Sequence, residues 1–177
     1  AGEVFAGYER LYRLNGNAWV QQSTGTVGSG NIDVIEIAPS DDNIMFVANG
    51  SGLYKSTNKG IAFNLVYTAP AAIQSIAVHY SDPKMLYVLT SSQAYKSIDG
   101  GATFNNGIAS GLPGVGKNVI VHQGLNNDNP LYVGTNLGVY YIDDTMSAWE
   151  PFETNLPNVA VRDLEINLED SKIVAAT

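Results

Sequence analysis

The chain has no cysteine, only nine basic side chains and only two histidines among its 177 residues. Without cysteine it forms neither disulfide bonds nor thiolate metal sites. No run of apolar residues approaches the length of about 20 that a membrane-spanning helix requires, so no membrane span is predicted. The 17 acidic side chains give a net charge of −8, with no cluster of lysine or arginine to offset it. Such a surface repels phosphate, and nucleic-acid binding is not expected.

Residues 1–14 contain no basic region followed by an apolar run, so these residues show no signal peptide. An acidic chain without cysteine nevertheless fits the proteins that bacteria export. We therefore predict a bacterial protein that is secreted or displayed at the cell surface.

The residues that are abundant favour β-structure. The chain is 45% hydrophobic and contains 18 glycines and 10 tyrosines, together with many valine, isoleucine and threonine residues. These residue types favour strands joined by tight turns, and the length is sufficient for one sizeable core. No segment shows a helical period over ten residues.

A repeat of 41 to 45 residues runs through the whole chain. Each unit carries a tyrosine, a polar turn and a closing aromatic residue, and an apolar stretch precedes each unit after the first. Fixed-period self-similarity of this kind indicates a repeat architecture. The tyrosines are Tyr12, Tyr54, Tyr95 and Tyr140, and the closing aromatic residues are Trp19, Phe63, Phe104 and Trp149.

Each unit predicts four short strands, as in "SIAVHY", "MLYVLT", "AYKS" and "ATFNN". Four strands in about 40–45 residues are typical of a β-propeller blade. A β-solenoid has shorter rungs, and a sandwich would not repeat so regularly. We predict an all-β propeller with four-stranded antiparallel blades, three of them complete and one incomplete at each end. Residues 1–177 then form a single propeller domain or the terminal part of a larger propeller.

The segment "SIDGGATF" resembles the Asp-box, Ser-x-Asp-x-Gly-x-Thr-Trp/Phe, of the propellers of sialidases, xyloglucan-cleaving glycoside hydrolases and sortilin-like proteins. The segment "STNKGIAF" keeps part of the pattern, with asparagine in place of the aspartate. The surrounding units resemble the same superfamily, especially the sortilin-like repeats of secreted bacterial proteins. The matching positions are Ser97, Asp99, Gly101, Thr103 and Phe104 in the first segment, and Ser56, Asn58, Gly60 and Phe63 in the second.

The chemistry of this segment favours a structural role over a catalytic one. A carboxylate in a turn accepts hydrogen bonds from nearby backbone N–H groups, and glycine permits a positive φ at the corner. We expect Phe104 to enter the seam between neighbouring sheets. The resemblance implies further that this corner lies on the face opposite the ligand site.

The usual ligand face of a propeller is formed by the loops that join the fourth strand of one blade to the first strand of the next and by the loops between second and third strands. Our candidates for this face are Asp33, Lys117, Arg162, Asp163 and Tyr8. Nothing in the sequence identifies an acid and a nucleophile among them, although glycoside hydrolysis requires two carboxylates across a cleft.

His79 and His122 follow the same apolar pattern and are predicted to share one repeat position, at the end of a first strand. No third metal ligand accompanies them, so we expect a recurrent strand-end residue and neither a metal nor a cofactor. The leading hypothesis is a non-enzymatic binding or scaffolding propeller for a protein or carbohydrate ligand. The alternative is a segment of a xyloglucanase-like glycoside hydrolase.

Overall fold

The computed structural model describes residues 2–152, 158–168 and 172–177. In these residues the chain forms sixteen strands in five antiparallel sheets, which we number I to V in chain order. No helix in the described part of the chain is long and apolar enough to cross a membrane.

The sheets are assembled from consecutive strands, so that each sheet is one local segment of chain. Sheet I contains β1 (Phe5–Gly7), β2 (Leu11–Asn15) and β3 (Ala18–Gln21), and sheet II contains β4 (Val34–Ile37), β5 (Met45–Asn49), β6 (Gly52–Ser56) and β7 (Asn64–Thr68). Sheet III contains β8 (Ile73–Val78), β9 (Leu86–Thr90) and β10 (Ala94–Ser97). Sheet IV contains β11 (Lys117–His122), β12 (Leu131–Thr135), β13 (Gly138–Ile142) and β14 (Glu150–Pro151), and sheet V contains β15 (Asp163–Asn167) and β16 (Lys172–Ala176).

The predicted fold class is confirmed: the chain is all-β, with blade-like antiparallel sheets arranged as part of a propeller. The first strands of neighbouring sheets contact one another in the order β4, β8, β11, β15. Sheet I has no first strand, and sheet V has only the first two. An incomplete sheet therefore lies at each end, as the repeat predicts.

The prediction of a fourth strand in sheet III, over "ATFNN", is wrong. The main chain of Asn105 donates to the carbonyl of Lys96 at 3.1 Å, but the Lys96 N–H donates to the Asn105 side-chain Oδ1 at 2.8 Å. A side chain therefore replaces one bond of the ladder. Gly107, at φ 114°, adds a further irregularity, and although the Ile108 N–H donates to the Ala94 carbonyl at 2.8 Å, only three strands form in this sheet.

Each pair of neighbouring sheets encloses its own hydrophobic core. The strand β5 explains how, because Met45 and Val47 pack towards sheet I whereas Phe46 and Ala48 pack towards sheet III. Successive side chains of a strand point to opposite faces, and both faces of this strand are covered. The sequence of β5 is therefore a nearly continuous apolar run and does not alternate between apolar and polar residues.

The closing aromatic residue of a unit packs into the seam with the preceding sheet. Phe63 contacts the I–II core, Phe104 the II–III core and Trp149 the III–IV core. The Phe104 ring lies 4.3 Å from the Tyr67 ring of sheet II, centroid to centroid. Trp19 differs and is 51% exposed, because no sheet of this chain lies before sheet I.

The two tryptophans provide a matched test of the seams. Trp149→Ala removes a ring that is 3% exposed and whose Nε1 donates to the Ile108 carbonyl at 2.8 Å. We expect it to lower the free energy of unfolding by about 3–5 kcal/mol. Trp19→Ala, at the equivalent position, should cost less than about 1 kcal/mol. Urea unfolding of the two variants measures this difference, and equal losses would contradict the assignment of the seams.

Candidate functional site

The first strands of sheets II to V surround a channel along the axis of the molecule, with a volume of about 320 Å³. Its side chains form successive levels because the four first strands pair with their second strands in matching register. The ladder pairs give the matches: Ile37 with Met45, Val78 with Leu86, His122 with Leu131 and Ile166 with Ile173.

One level of the channel carries two glutamates. Glu36 of sheet II and Glu165 of sheet V each lie one residue before the matched position of their strand. At the same level as these glutamates, sheets III and IV have Ala77 and Val121. Burial raises the pKa of Glu36 to about 7, and the negative charge of Glu165 adds to this effect. The backbone N–H of Val78 acts in the opposite direction. Near neutral pH, Glu36 thus exchanges a proton inside the channel.

The sequence analysis did not single out Glu36 or Glu165. A signal was nevertheless present, since "VIEI" and "LEIN" each place one glutamate in an otherwise mostly apolar first strand. Aligning the two strands by their partners shows that the two acids share a repeat position. Their proximity depends on the curvature of the sheet array, which brings β4 and β15 to one channel.

Two predicted ligand-face residues, Asp33 and Arg162, lie at equivalent positions just before the first strands, and Lys117 lies at the start of β11, beside a register shift. Their surroundings differ. The Asp33 Oδ2 accepts a hydrogen bond from the Gly50 N–H at 2.7 Å, and Arg162 is exposed. Of the five predicted residues only Asp163 lines the channel. Tyr8 is 57% exposed and lies in sheet I, away from the channel lining.

The prediction for Lys117 needs correction, because its side chain is not free to contact a ligand. Lys117 is buried, and its ammonium donates to the carbonyls of Pro113 at 2.7 Å and Val115 at 2.9 Å. Burial lowers the pKa of this ammonium. The residue anchors the loop before β11.

The turn after β10 is closed by a set of short hydrogen bonds, and we call residues 97–104 the first corner hairpin. Asp99 Oδ1 accepts from the Ser97 hydroxyl at 2.8 Å and from the Ala102 and Thr103 N–H groups at 3.0 and 2.9 Å. Its Oδ2 accepts from the Thr103 hydroxyl at 2.6 Å. The Ser97 hydroxyl oxygen in turn accepts from the Gly101 N–H at 3.0 Å. These bonds lower the pKa of Asp99 to about 2, with Thr103 contributing most.

Residues 56–63, the second corner hairpin, repeat this arrangement with an amide in place of the carboxylate. The Asn58 Oδ1 accepts from the Ser56 hydroxyl at 2.8 Å and from the Ala62 N–H at 3.0 Å. The Ser56 hydroxyl oxygen accepts from the Gly60 N–H at 2.9 Å. A single acceptor oxygen at this position is therefore enough to close the turn.

Glycine is required where each corner hairpin meets the preceding sheet. Gly101 has φ 90°, and a Cβ built on it would lie 3.3 Å from Leu53 and 3.5 Å from Phe46 of sheet II. Gly60 has φ 76° and packs against Leu11 of sheet I. The positive φ and the close approach both exclude larger residues.

The two histidines do not occupy one repeat position, contrary to the prediction. The His79 N–H donates to the Met85 carbonyl and the Gln123 N–H to the Pro130 carbonyl, which makes His79 equivalent to Gln123. His122 instead pairs with Leu131 and is equivalent to Val78. The turn between β11 and β12 is longer than the one between β8 and β9, so the sequence pattern aligns the wrong residues.

The histidine rings are tilted by 35° to one another, with centroids 4.6 Å apart. Both ring nitrogens of His79 are engaged in hydrogen bonds, Nδ1 with the Ser81 and Asp82 N–H groups and Nε2 with Asn129. Among the residues that the structure describes, no group of three or more histidine, aspartate or glutamate side chains is arranged to hold a metal ion.

No protein-family model and no curated protein sequence matches this chain. Solved structures do match. A GH74 xyloglucanase from Xanthomonas campestris superposes with a TM-score of 0.73 and 17% identity, over 96% of this chain and 31% of that one. The extracellular domain of a putative one-component system from B. thetaiotaomicron gives a TM-score of 0.71 and 17% identity, over 98% and 24%.

YCF48 bound to D1 peptide gives a TM-score of 0.60 and 17% identity, over 81% of this chain and 47% of that one. All of these are β-propeller proteins. Identities this low support the fold and do not transfer an activity. The chain spans 23–31% of the length of the three GH74 structures that it matches.

Asp99→Ala should destabilise the protein, because four donors of the first corner hairpin lose their acceptor. Asp99→Asn should retain most of the stability, since Asn58 supports the equivalent hairpin. We expect the melting temperature to fall by a few degrees for the alanine variant only. Asp128→Ala, an exposed aspartate elsewhere on the chain, is the control. Similar losses for Asp99→Asn and Asp99→Ala would show that the carboxylate charge is essential.

Glu36→Gln tests the buried acid of the channel. Its folded-state pKa of about 7 lies above the ordinary 4.5, so its contribution to stability is complete below pH 4.5 and is lost as the pH rises through 7. We expect the free energy of unfolding of Glu36→Gln, relative to that of the wild type, to rise by about 1–3 kcal/mol from pH 5 to pH 8. Urea unfolding at both pH values measures it. Glu165→Gln should give a smaller gain in stability, because burial raises the pKa of Glu36 more than the charge of Glu165 does. A difference between Glu36→Gln and wild type that did not change with pH would refute the raised pKa of Glu36.

Proposed function

We propose that this chain is a non-enzymatic binding or scaffolding propeller unit that holds a protein or carbohydrate ligand at the mouth of the axial channel. The observation that carries the proposal is the lining of this channel. Asp163 lies at the end where the first strands begin, and Glu36 and Glu165 lie deeper. A volume of about 320 Å³ is at the lower end of the range for small-ligand sites.

The rest of the lining supports binding over polysaccharide cleavage. Most of it is aliphatic, and the aromatic residues Tyr80 and His122 are at the far end of the channel, near the turns between first and second strands. A sugar-cleaving groove needs two carboxylates on either side of the bond, and stacking rings that position the chain. Among the described residues that line the channel, the carboxylates are present without an aromatic groove at the mouth.

The alternative, a segment of a glycoside hydrolase, is favoured by one specific observation. Glu36, whose pKa is about 7, would hold a proton near neutral pH beside a second carboxylate, Glu165. Pairs of carboxyl groups with separated pKa values act as general acid and partner in such enzymes. A GH74 xyloglucanase is also among the structural neighbours.

We further propose that the two corner hairpins are Asp-box repeats of the kind found in sortilin-like and xyloglucanase-like propellers. The pattern of Ser97, Asp99, Gly101, Thr103 and Phe104 and its hydrogen bonds support this assignment. The corners stabilise the fold and take no part in ligand chemistry. The likeness to an extracellular domain supports a secreted or surface location.

Residues 1–177 are proposed to form one propeller domain or the terminal part of a larger one. The outward faces of the end sheets support the second possibility. Trp19 of sheet I is 51% exposed, whereas the equivalent Trp149 is 3% exposed, and Val174 of sheet V is 64% exposed, whereas the equivalent Tyr132 is 7% exposed. Burying such apolar surface is favourable, so a further blade on either face would be stabilising.

The binding proposal is tested by NMR titration of the chain with xyloglucan oligosaccharides and, separately, with a lysine-rich peptide that suits the acidic channel. We expect shifts at Asp163, Leu164 and Glu165 for one probe. Asp163→Asn should weaken that binding about tenfold, the effect of losing one charge-assisted contact. Asp144 lies in the turn after β13, on the face of the molecule that carries the corner hairpins, which we call the corner-hairpin face. Asp144→Asn is therefore the matched control and should bind the probe normally.

A reducing-sugar assay with xyloglucan separates the two functions. Hydrolysis that Glu36→Gln abolishes would replace the binding proposal with the enzymatic alternative. Shifts confined to the corner-hairpin face, or none with either probe, would contradict a ligand site at the channel mouth.

A further inference from the structure

The seam between sheets III and IV contains two imidazoles, His79 and His122. His122 is equivalent to Ile37, Val78 and Ile166 in the other sheets. Its ring lies 4.6 Å from the tilted ring of His79 and stacks on the Tyr87 ring of sheet III at 5.7 Å, centroid to centroid. The seam is therefore built around a titratable group.

The neighbouring ring of His79 is held in one orientation. Its Nδ1 accepts hydrogen bonds from the Ser81 N–H at 3.3 Å and the Asp82 N–H at 3.2 Å. Its Nε2 then donates to the Asn129 Oδ1 at 2.9 Å. The Asn129 Nδ2 donates to the Asp144 Oδ2 at 2.6 Å, which completes a polar chain from sheet III to sheet IV.

His122 lies next to this chain without joining it. Both of its ring nitrogens are buried and neither has a hydrogen-bond partner in the described part of the chain. The nearby amide oxygen of Asn129 is shared, because it already accepts from His79 Nε2. A proton added to His122 would thus create a buried cation whose closest acceptor is shared with a second imidazole, which is costly.

The charges around His122 come from both sheets. From sheet III and the turn between β8 and β9, His79, Lys96 and Tyr87 face the ring, and from sheet IV and its turns, Asn129 and Asp144 do so. Burial lowers the pKa of His122 to about 4, and the charges of His79 and, to a smaller extent, Lys96 add to this. The hydrogen bond with Asn129 and the charge of Asp144 act in the opposite direction, but burial and His79 have the larger effects. Lys96 lies 3.6 Å from Asp144, so the one nearby carboxylate is shared.

We propose that His122 makes the III–IV seam an acid-responsive joint, in which protonation of its imidazole loosens the contact between β8 and β11 while the aliphatic seams stay closed. Both strands line the axial channel, so the loosening also changes the channel wall. The proton itself is the ligand of this joint, so the proposed response requires neither a metal ion nor a protein partner.

The direction of the effect follows from linkage. The folded-state pKa of His122, about 4, is below the ordinary 6.5. The stability that depends on a neutral His122 is therefore complete above pH 6.5 and is lost as the pH falls towards 4. Glu36 acts oppositely in an overlapping range, so the wild type alone does not isolate the joint. A comparison with a His122 variant at each pH does.

The experiment compares wild type with His122→Ile, which installs the residue found at the equivalent position of sheets II and V. Urea unfolding is measured at pH 7.5, 6.5, 5.5 and 5.0, conditions chosen for this test. We expect the ratio of the two unfolding constants to change about tenfold from pH 7.5 to 5.0, with wild type becoming the less stable relative to the variant. A ratio that stays constant would overturn the proposal. His79→Gln, which copies Gln123, keeps His122 and should retain the pH response.

Two measurements on the wild type remain decisive if His122→Ile does not fold. The ring protons of His122 should show no titration above pH 5 in NMR spectra of the folded chain, and titration near pH 6.5 would refute the proposal. Amide exchange, corrected for its intrinsic pH dependence, should accelerate at His79 and Gln123 on acidification, but not in β5 of sheet II. Uniform acceleration would indicate global acid unfolding and contradict a local joint.

Discussion

The packing of one sheet face against the next is the interaction on which the structure depends. Each sheet alone is too small to be stable, and burial of apolar surface in the four seams supplies the favourable free energy. The closing aromatic residues Phe63, Phe104 and Trp149 place a large ring in three of these seams. Trp19 is the closing aromatic residue of sheet I, which has no preceding sheet to cover it, and it remains half exposed. The aromatic position that repeats in the sequence is thus one that contacts the neighbouring sheet.

The axial channel is a consequence of this packing. Sheets that meet side by side bring their first strands towards a common axis, and the side chains there cannot all be covered by the seams. Glu36 and Glu165 occupy this space, and burial changes the proton affinity of Glu36. The chemistry of the channel therefore depends on how the sheets are assembled.

Polar groups adjust each seam locally. Asp99 and Asn58 close their corner hairpins with one common acceptor geometry, so a change of charge is tolerated there. His122 represents the opposite case, since its nitrogens are buried without partners in a position that is aliphatic in the other sheets. Hydrogen-bonded polar groups stabilise such a seam, and an unpartnered one makes it sensitive to its protonation state.

The sequence by itself determined the fold class, the repeat and the incomplete sheets at the two ends, because strand alternation and turn residues are local properties. The seam role of Phe104 was also predictable, since it follows from the repeat. Only the tertiary structure decided that Lys117 is buried, that sheet III has three strands and that His122 is not equivalent to His79. These features depend on loop length and register, which set the partners of a residue. The pairing of Glu36 with Glu165 depends on the curvature of the whole array, and no local pattern encodes that.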